Sequence, residues 1–197
     1  MRYLFIILIF VFSGCSVTTP HIVEYKINPN IAIAKYSSKT CKSKSLKIMQ
    51  SFSPRSLISK EMKYAQNSYQ VSSFTESEWA QSPNQSINDA LLKSIRSSNI
   101  FKNVSGYKSR SKNDFTLEIT IEDFMQYFTH HNTKSFVNVT LYISLIDTKS
   151  AKIISSKRFN EKLNVIKLNA NSGVKSLNTA LSDIFIEINK WLVGNCK

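Results

Sequence analysis

Hydrophobic and polar residues alternate over three long stretches in the second half of the chain, and this alternation predicts three β-strands. The first covers 115–121, and the apolar residues that follow would extend it to Phe128. The second covers 136–146, and a turn over 147–150 leads into the third, 152–163. The short turn predicts an antiparallel pair. The more polar third strand is expected near an edge of the sheet.

Apolar residues recur at helical spacing in two other stretches. The first stretch predicts a helix over 83–98. Ser82 and Gln85 are expected to form a capping box at its start, since a hydroxyl and an amide at this spacing can satisfy free backbone N–H groups. Asn99 is expected to end the helix in the left-handed conformation.

A final amphipathic helix is predicted from Leu177 to about Val193, where large apolar residues recur every three or four positions. Gly194 would end this helix, because glycine readily adopts the left-handed conformation of a C-terminal cap. The segment before the helix, 169–173, is expected to be a loop.

Shorter apolar segments occupy the first half of the chain. They predict a first strand over 45–52, a β-hairpin made of 61–65 and 68–74, and a return strand over 100–104. Short strands, a helix, a three-stranded meander and a second helix indicate an α+β fold. We expect a twisted, mostly antiparallel sheet with two helices packed on one face.

The beginning of the chain has the pattern of a signal peptide. Arg2 precedes an apolar run over 3–12, which is too short for a membrane-spanning helix of roughly 20 residues. A Ser-Gly-Cys sequence then ends at Cys15 and resembles a bacterial lipobox, with Phe12 where that pattern prefers Leu. The resemblance implies that 1–14 are removed and that Cys15 carries diacylglyceryl and N-acyl lipid. The alternative is a plain secreted protein with an ordinary thiol at this position.

A polar segment, 15–44, follows and is predicted to be a tether that ends at a folded domain over 45–197. Apolar residues within 31–36 indicate that part of the tether docks as an edge strand. Ser16 stands where an Asp retains Gram-negative lipoproteins in the inner membrane. The lipobox resemblance therefore implies a protein on the inner leaflet of the outer membrane, facing the periplasm.

The chain has 26 Lys and Arg against 13 Asp and Glu, a formal net charge of +13. Such a charge suits nucleic acid, anionic lipid head groups or an acidic partner. Export argues against nucleic acid, and no run of cations is longer than two residues. Two interpretations stay open, a solvated lysine-rich surface and a basic face toward phospholipid.

Two cysteines, Cys41 and Cys196, remain once Cys15 is assigned to the lipid. An even number of cysteines in an oxidising periplasm favours a disulfide. We expect the two to pair and to join the end of the tether to the end of the last helix. The alternative is two free thiols.

No motif for catalysis or metal binding stands out. The four glycines form no phosphate-binding loop, and the cysteines lack zinc-site spacing. His130 and His131 are adjacent, so on a strand their side chains would face opposite sides. Glu76 and Glu78 have no evident catalytic partner. The sequence therefore predicts a protein that is not an enzyme and that holds no metal and no cofactor beyond the lipid on Cys15.

A pattern of aromatic and apolar residues runs through 60–104. It consists of Tyr64 in a short strand, a second strand over 69–74, Trp79-Ala80, Pro83, Leu91-Leu92, and Phe101 with Val104. Together with the lipobox, the chain length and the final meander and helix, this pattern resembles the ABC-type transport auxiliary lipoproteins. That family includes the paraquat-inducible intermembrane-transport lipoprotein. Its members often have Arg where this chain has Ala65 and Glu78.

This resemblance implies a non-catalytic periplasmic component of an ABC transporter that moves lipids between the inner and outer membranes. Its partners would be a protein with a mammalian-cell-entry (Mce) domain and the associated permease and ATPase. Phospholipid binding and homo-oligomers stay open. The alternative is an envelope assembly or structural lipoprotein that serves an outer-membrane machine for secretion or lipopolysaccharide insertion.

Four aromatic residues are candidates for partner or lipid contact. Trp79 either caps the core before the first helix or forms an exposed contact with a partner or an acyl chain, a setting in which Trp is enriched. Phe124, Tyr127 and Phe128 would contact lipid if lipid passes along the domain. The alternative for these three is packing inside the protein.

Overall fold

A computed structural model describes residues 21–31, 41–67, 69–129 and 131–196. Cys15, the leader and much of the predicted tether lie outside the described residues. The described chain forms eight strands and two helices. They are β1 (Val23–Tyr25), β2 (Ser45–Ile48), β3 (Glu61–Ala65), β4 (Val71–Trp79), α1 (Pro83–Ser97), β5 (Asn103–Gly106), β6 (Phe115–Phe128), β7 (Ser135–Asp147), β8 (Lys152–Val165) and α2 (Ala170–Asn195).

Strand β6 is the strand around which the sheet is arranged. Along one edge it pairs antiparallel with β7, from Phe115 opposite Asp147 to Phe128 opposite Ser135, and β8 follows antiparallel. Two parallel strands share its other edge, β2 near its start and β3 near its end. Strand β5 extends the sheet beyond β2, while β4 and then β1 extend it beyond β3. The predicted α+β class is confirmed. The sheet is mixed, because the long pairings are antiparallel and four short ones are parallel.

One face of the sheet carries the hydrophobic core, because side chains on alternate strand positions point to the same side. In β6, Leu117, Ile119 and Ile121 are buried in a single cluster that also contains the apolar faces of both helices. Asn189 Nδ2 in α2 donates a hydrogen bond to Ser94 Oγ in α1 at 3.0 Å. The two helices therefore pack beside each other on the same face of the sheet.

The two ends of the sheet differ. At one end, which we call the loop end, β3, β6 and β8 finish, since Ala65 pairs with Tyr127 and Val165 pairs with Ser135. The chain leaves this end through 66–70, 129–134 and 166–169. At the other end, which we call the disulfide end, β2 and β6 begin and Cys41 is bonded to Cys196.

Helix α1 is as predicted over Pro83–Ser97, and Asn99 adopts the expected left-handed conformation with φ 55°. The predicted capping box is not formed. Ser82 occupies the N-cap position, but its side chain makes no capping hydrogen bond. Its carbonyl instead accepts the Ser86 N–H at 3.1 Å, which is the first bond of the helix itself.

Helix α2 is longer than predicted at both ends. The predicted loop over 169–173 is wrong, because the Asn169 side chain accepts the Ser172 N–H at 2.9 Å and caps a helix that begins at Ala170. The predicted stop at Gly194 is also wrong. This glycine has no positive φ, and the helix continues through Asn195.

Part of the segment predicted as a tether belongs to the sheet. Strand β1 pairs in parallel with β4, with Val23 opposite Ser77 and Tyr25 opposite Trp79. The Ala80 N–H also donates to the Tyr25 carbonyl at 2.8 Å. Tyr25 packs against the hydrophobic core, and this burial gives a physical reason for the strand. The folded domain therefore begins before residue 45, where the sequence had placed its start.

Candidate functional site

Three aromatic side chains pack together at the loop end. Strands β3, β4 and β6 bring Tyr64, Phe74 and Phe128 side by side, with 4.6 Å between the ring centroids of the first two and 5.3 Å from Tyr64 to Phe128. All three are half-buried. Of the four predicted contact residues, Phe128 is thus the one that reaches this partly exposed aromatic cluster.

Beyond this cluster, the loop end carries the two most exposed large apolar side chains of the described residues. Ile166 is 95% exposed and Tyr69 is 94% exposed, and Val71 and Leu168 are also exposed. Burying apolar surface is favourable by about 25 cal/mol per Å², so a group of such side chains in water indicates a contact surface. We call these four residues the apolar tips.

The charge around the apolar tips is positive. Lys134 and Lys167 are exposed in the loops at this end, and Lys162 is exposed near the end of β8. The three connecting segments contain no Asp or Glu. The loop end can therefore contact an apolar phase and an anionic layer at the same time.

Two of the predicted contact residues lie in the core. Trp79 is 3% exposed, and its ring centroid lies 5.7 Å from that of Phe124, which is also buried. A register shift between Ile121 and Asp123 causes this placement, because after it Phe124 takes the buried side of β6. Neither Trp79 nor Phe124 offers a surface for a partner or a lipid. Their role in the structure is packing.

The fourth predicted residue, Tyr127, lies on the sheet face opposite the helices. Its ring stacks on Phe136 with a centroid distance of 5.1 Å and an interplanar angle of 5°. Its hydroxyl donates a hydrogen bond to Asp123 Oδ2 at 2.8 Å. Lys162 Nζ lies 3.8 Å from the centroid of the Phe136 ring, a cation–π contact. Tyr127 is therefore held in a side-chain network and is not free to follow a ligand.

Asp123 is the acidic centre of this network. Its Oδ2 accepts hydrogen bonds from the Asn138 side-chain amide at 2.6 Å and from Tyr127. Burial raises the pKa of Asp123, and the two donors partly oppose that rise. Burial, with the hydrogen bond to Asp123, also raises the pKa of Tyr127. These hydrogen bonds hold the side chains of Asp123, Tyr127 and Asn138 in place on the sheet face opposite the helices.

A polar cavity of about 290 Å³ lies at the beginning of α1. Gln50, Gln85, Asn88, Tyr107 and Lys108 are among its lining residues. Asn88 Oδ1 is buried and has no hydrogen-bond partner among the described residues. Amide and hydroxyl groups of this kind can hold water or a small polar molecule.

Within the described ranges, no three His, Cys, Asp or Glu side chains come close enough to hold a metal ion. His131 belongs to these ranges, whereas His130 does not. Nor does any described helix have the length and apolar character needed to cross a membrane.

Cys41 and Cys196 are joined by a disulfide in the structure, with 5.4 Å between their Cα atoms. Both side chains are buried. The bond connects the 3₁₀ turn before β2 to the end of α2, across 155 residues of sequence. It closes the disulfide end, on the side of the domain away from the apolar tips.

Residues 25–189 match the family of ABC-type transport auxiliary lipoprotein components. The chain belongs to this family. The match begins inside β1 and ends inside α2, so it covers nearly the whole described fold. As a family member, the protein is a lipoprotein of the cell envelope that is associated with an ABC transporter.

Solved structures of other proteins have the same fold as this chain. A Xanthomonas campestris protein has a TM-score of 0.76 at 14% identity, covering 88% of this chain and 96% of its own. An uncharacterized protein has a TM-score of 0.67 at 16% identity, covering 87% and 99%. A hypothetical protein of Chlamydia trachomatis has a TM-score of 0.51 at 10% identity, covering 78% and 98%. These identities establish the fold alone. No curated protein matches the chain.

The apolar tips were missed by the sequence reasoning, which concentrated on aromatic residues near the long strands. The prediction placed Tyr69 inside the second strand of the hairpin, whereas in the structure it lies in the turn between β3 and β4. Ile166 and Leu168 flank Lys167 outside any predicted strand or helix. Large apolar residues in such a segment have no core to join, and that mismatch is the signal by which these two could have been found. No such signal marks Tyr69.

Proposed function

We propose that this auxiliary lipoprotein is a non-catalytic, outer-membrane-anchored component of an Mce-type ABC transporter that moves lipids between the inner and outer membranes. The observation that carries the proposal is the family match over 25–189, because it links the folded domain to an ABC transporter. The lipobox pattern at Cys15 adds the anchor, and the Mce-domain protein would be the component that the domain docks.

The proposed mechanism is positional. Lipid on Cys15 holds the domain at the inner leaflet of the outer membrane, and more than one acyl chain makes such an anchor stable. The domain then offers a fixed surface to the Mce-domain protein, whose permease and ATPase lie in the inner membrane. Nothing in this role requires a residue of the domain to make or break a bond. Phospholipid would pass along the assembly, not through a reaction on this chain.

The membrane that receives the protein can be tested through Ser16. Asp at this position retains Gram-negative lipoproteins in the inner membrane, so Ser16→Asp should move the protein from the outer-membrane to the inner-membrane fraction on a density gradient. Ser16→Ala is the matched control and should stay with the outer membrane. If the unmodified protein sediments with the inner membrane, the proposed location is wrong.

The partner can be tested by crosslinking in intact envelopes. The tagged protein would be captured through its C-terminus, and its crosslinked proteins and lipids identified by mass spectrometry. Recovery of an Mce-domain protein with its permease or ATPase supports the proposal, and a Cys15→Ser protein without the anchor should lose that recovery. Recovery of an outer-membrane secretion or lipopolysaccharide-insertion component, without Mce partners, would favour the envelope-assembly alternative.

A further inference from the structure

We propose that the loop end of the sheet is a membrane-contacting surface, whose apolar tips (Tyr69, Val71, Ile166 and Leu168) insert into the phospholipid bilayer that holds the lipid anchor. The inference rests on lipidation of Cys15 but not on the identity of the transporter or of its Mce partner. The partner of this surface is a phospholipid bilayer. A protein bound at the same surface is an alternative that the experiment below separates.

The direction of β1 places its start toward the loop end. This strand runs parallel to β4, and β4 starts at the loop end, where Val71 pairs with Ala65. The chain therefore enters β1 from the side of the loop end. The anchor at Cys15 lies on the part of the chain that precedes this strand. Strand direction alone places the start of β1 on the side that faces the apolar tips.

The chain between the anchor and the sheet is long enough to let the loop end reach the bilayer. Cys15 is eight residues before Val23, and eight residues span at most about 27 Å. Val23 lies level with Ser77, next to the pair formed by Glu61 and Glu78. From Glu61 to Ala65 at the loop end is about 13 Å along β3, at ~3.3 Å per residue. The available chain therefore exceeds the distance to the loop end.

The opposite end is much less accessible to the anchor. Measured along β6 at the same rise per residue, the position level with β1 lies roughly 25 Å from Phe115, which is at the disulfide end. The chain would have to reverse its direction before β1 and then use nearly its full length to bring the disulfide end to the bilayer. The short link between the anchor and β1 thus favours an orientation in which the loop end faces the membrane.

The exposed side chains at the loop end suit contact with a phospholipid bilayer. Ile166 and Tyr69 are almost fully exposed, and transfer of large apolar side chains from water into the apolar part of a bilayer is favourable. The half-buried aromatic cluster of Tyr64, Phe74 and Phe128 lies at the same end of the sheet. The exposed Lys134 and Lys167 suit the phosphate groups of the lipid layer. Cations occur over the whole surface, so charge supports this end without selecting it.

The experiment uses the full lipidated chain in vesicles of phosphatidylethanolamine and phosphatidylglycerol, with part of the lipid brominated. Ile166→Trp reports on the loop end. Ile153→Trp is the matched control, because Ile153 is 64% exposed near the start of β8, the strand that Ile166 directly follows, and lies about 40 Å away along it. Emission from the native Trp79 and Trp191 is measured in the unmodified protein and subtracted. Circular dichroism checks that both variants fold.

We expect brominated lipid to remove most of the emission added by Ile166→Trp and to leave that of Ile153→Trp unchanged. Equal quenching at both positions, or none at Ile166→Trp, would overturn the proposal. So would a mass spectrum without lipid on Cys15. Because the vesicles contain no transporter, an unquenched loop end leaves the proposed transport role standing, whereas a missing lipid would also contradict the proposed anchor. If Ile166 is unquenched but crosslinks to a protein in envelopes, the surface is a protein-docking site instead.

Discussion

Gly173 lies directly against Gln126, where the first turn of α2 crosses the end of β6. A Cβ added at Gly173 would come within 2.7 Å of the Gln126 Cδ, and the Gln126 Oε1 would lie closer still to that Cβ. Gln126 cannot easily move away, because it is buried and its Nε2 donates a hydrogen bond to Ser135 Oγ at 2.9 Å. The absence of a side chain at Gly173 therefore sets how closely the helix approaches the sheet.

We expect Gly173→Ala to lower the free energy of unfolding by about 1–3 kcal/mol, because overpacking forces neighbouring groups to shift. Gly194→Ala is a control in the same helix. A Cβ there meets nothing within 4 Å, and Ala is a better helix residue than Gly by about 0.5–1 kcal/mol. Urea unfolding should move the two midpoints in opposite directions. Equal shifts would show that helix propensity, not the contact with Gln126, decides the outcome.

The two helix starts should respond differently to loss of the N-cap side chain. Asn169→Ala removes the acceptor of the Ser172 N–H and should cost about 1 kcal/mol. Ser82→Ala removes a side chain that makes no capping bond, so its effect should stay within about 0.5 kcal/mol. Thermal unfolding of both variants checks the difference. A larger loss at Ser82 would mean that its hydroxyl caps α1 in solution.

The disulfide between Cys41 and Cys196 should contribute to stability because it closes a long loop in the unfolded chain. Replacing both cysteines by Ser should lower the free energy of unfolding by about 2–4 kcal/mol. Unfolding of the oxidised protein is compared with that of the double variant, with Cys15→Ser in each. Reductant should destabilise the first protein and leave the second unchanged. A stability that does not respond to reductant would contradict the bond's role.

Asp123 should make stability depend on pH in the direction opposite to most carboxyl groups. Burial raises its pKa in the folded protein, so the folded state holds the proton more tightly than the unfolded chain does. The stabilising contribution is full below the unfolded pKa, about 4, and is lost as pH rises through the raised folded pKa. Relative to the parent, Asp123→Asn should therefore gain stability as pH rises above about 4.

Urea unfolding from about pH 2 to neutral tests this, and Asp114 provides a contrast of opposite sign below the unfolded pKa of about 4. Hydrogen bonds from the backbone N–H and the hydroxyl of Ser45 lower the pKa of Asp114. Its contribution is therefore present above the unfolded pKa and is lost as pH falls. Asp114→Asn should differ most from the parent at high pH, as a loss of stability. A flat difference curve for Asp123→Asn would contradict its raised pKa.

Local sequence patterns predicted the long strands and helices well. Each of these elements buries one face, and that burial gives its apolar residues a regular spacing along the sequence. Leu117 and Ile119 alternate with Thr116 and Glu118, and the strand is found where that alternation is. The limit of this reasoning lies at the bulge near Asp123. One extra residue there reverses which side faces the core, and a period-two pattern cannot place such a shift.

Pairing between distant parts of the chain was harder to predict. The parallel pairing of Leu46 with both Val104 and Phe115 depends on segments that meet only after folding. Likewise, β1 is three residues long, and it forms because β4 presents a free edge and the core accepts Tyr25. In the sequence, a short segment of mixed polar and apolar residues cannot be distinguished from a linker unless its partner strand is known.

The candidate site was only partly visible in the sequence. The aromatic character of Trp79 and Phe128 was equally evident, yet one is buried and the other half-buried. Exposure depends on which elements finally pack around each side chain: Trp79 lies in the core against Phe124, whereas Phe128 lies at the loop end beside Tyr64. Sequence could therefore name aromatic candidates but could not sort them into packing and surface residues.

The hydrogen bond between Ser94 and Asn189 makes a last prediction about how the helices hold together. Both residues are buried, and Asn189 Oδ1 has no partner among the described residues. Ser94→Ala would leave the Asn189 amide without its acceptor and should cost about 1–3 kcal/mol. Adding Asn189→Leu removes the unpaired amide as well, so the double variant should recover at least the parent stability. Urea unfolding of the parent, both single variants and the double variant gives the coupling energy. A double variant less stable than Ser94→Ala would mean that the amide stabilises the helix contact by packing that leucine cannot reproduce.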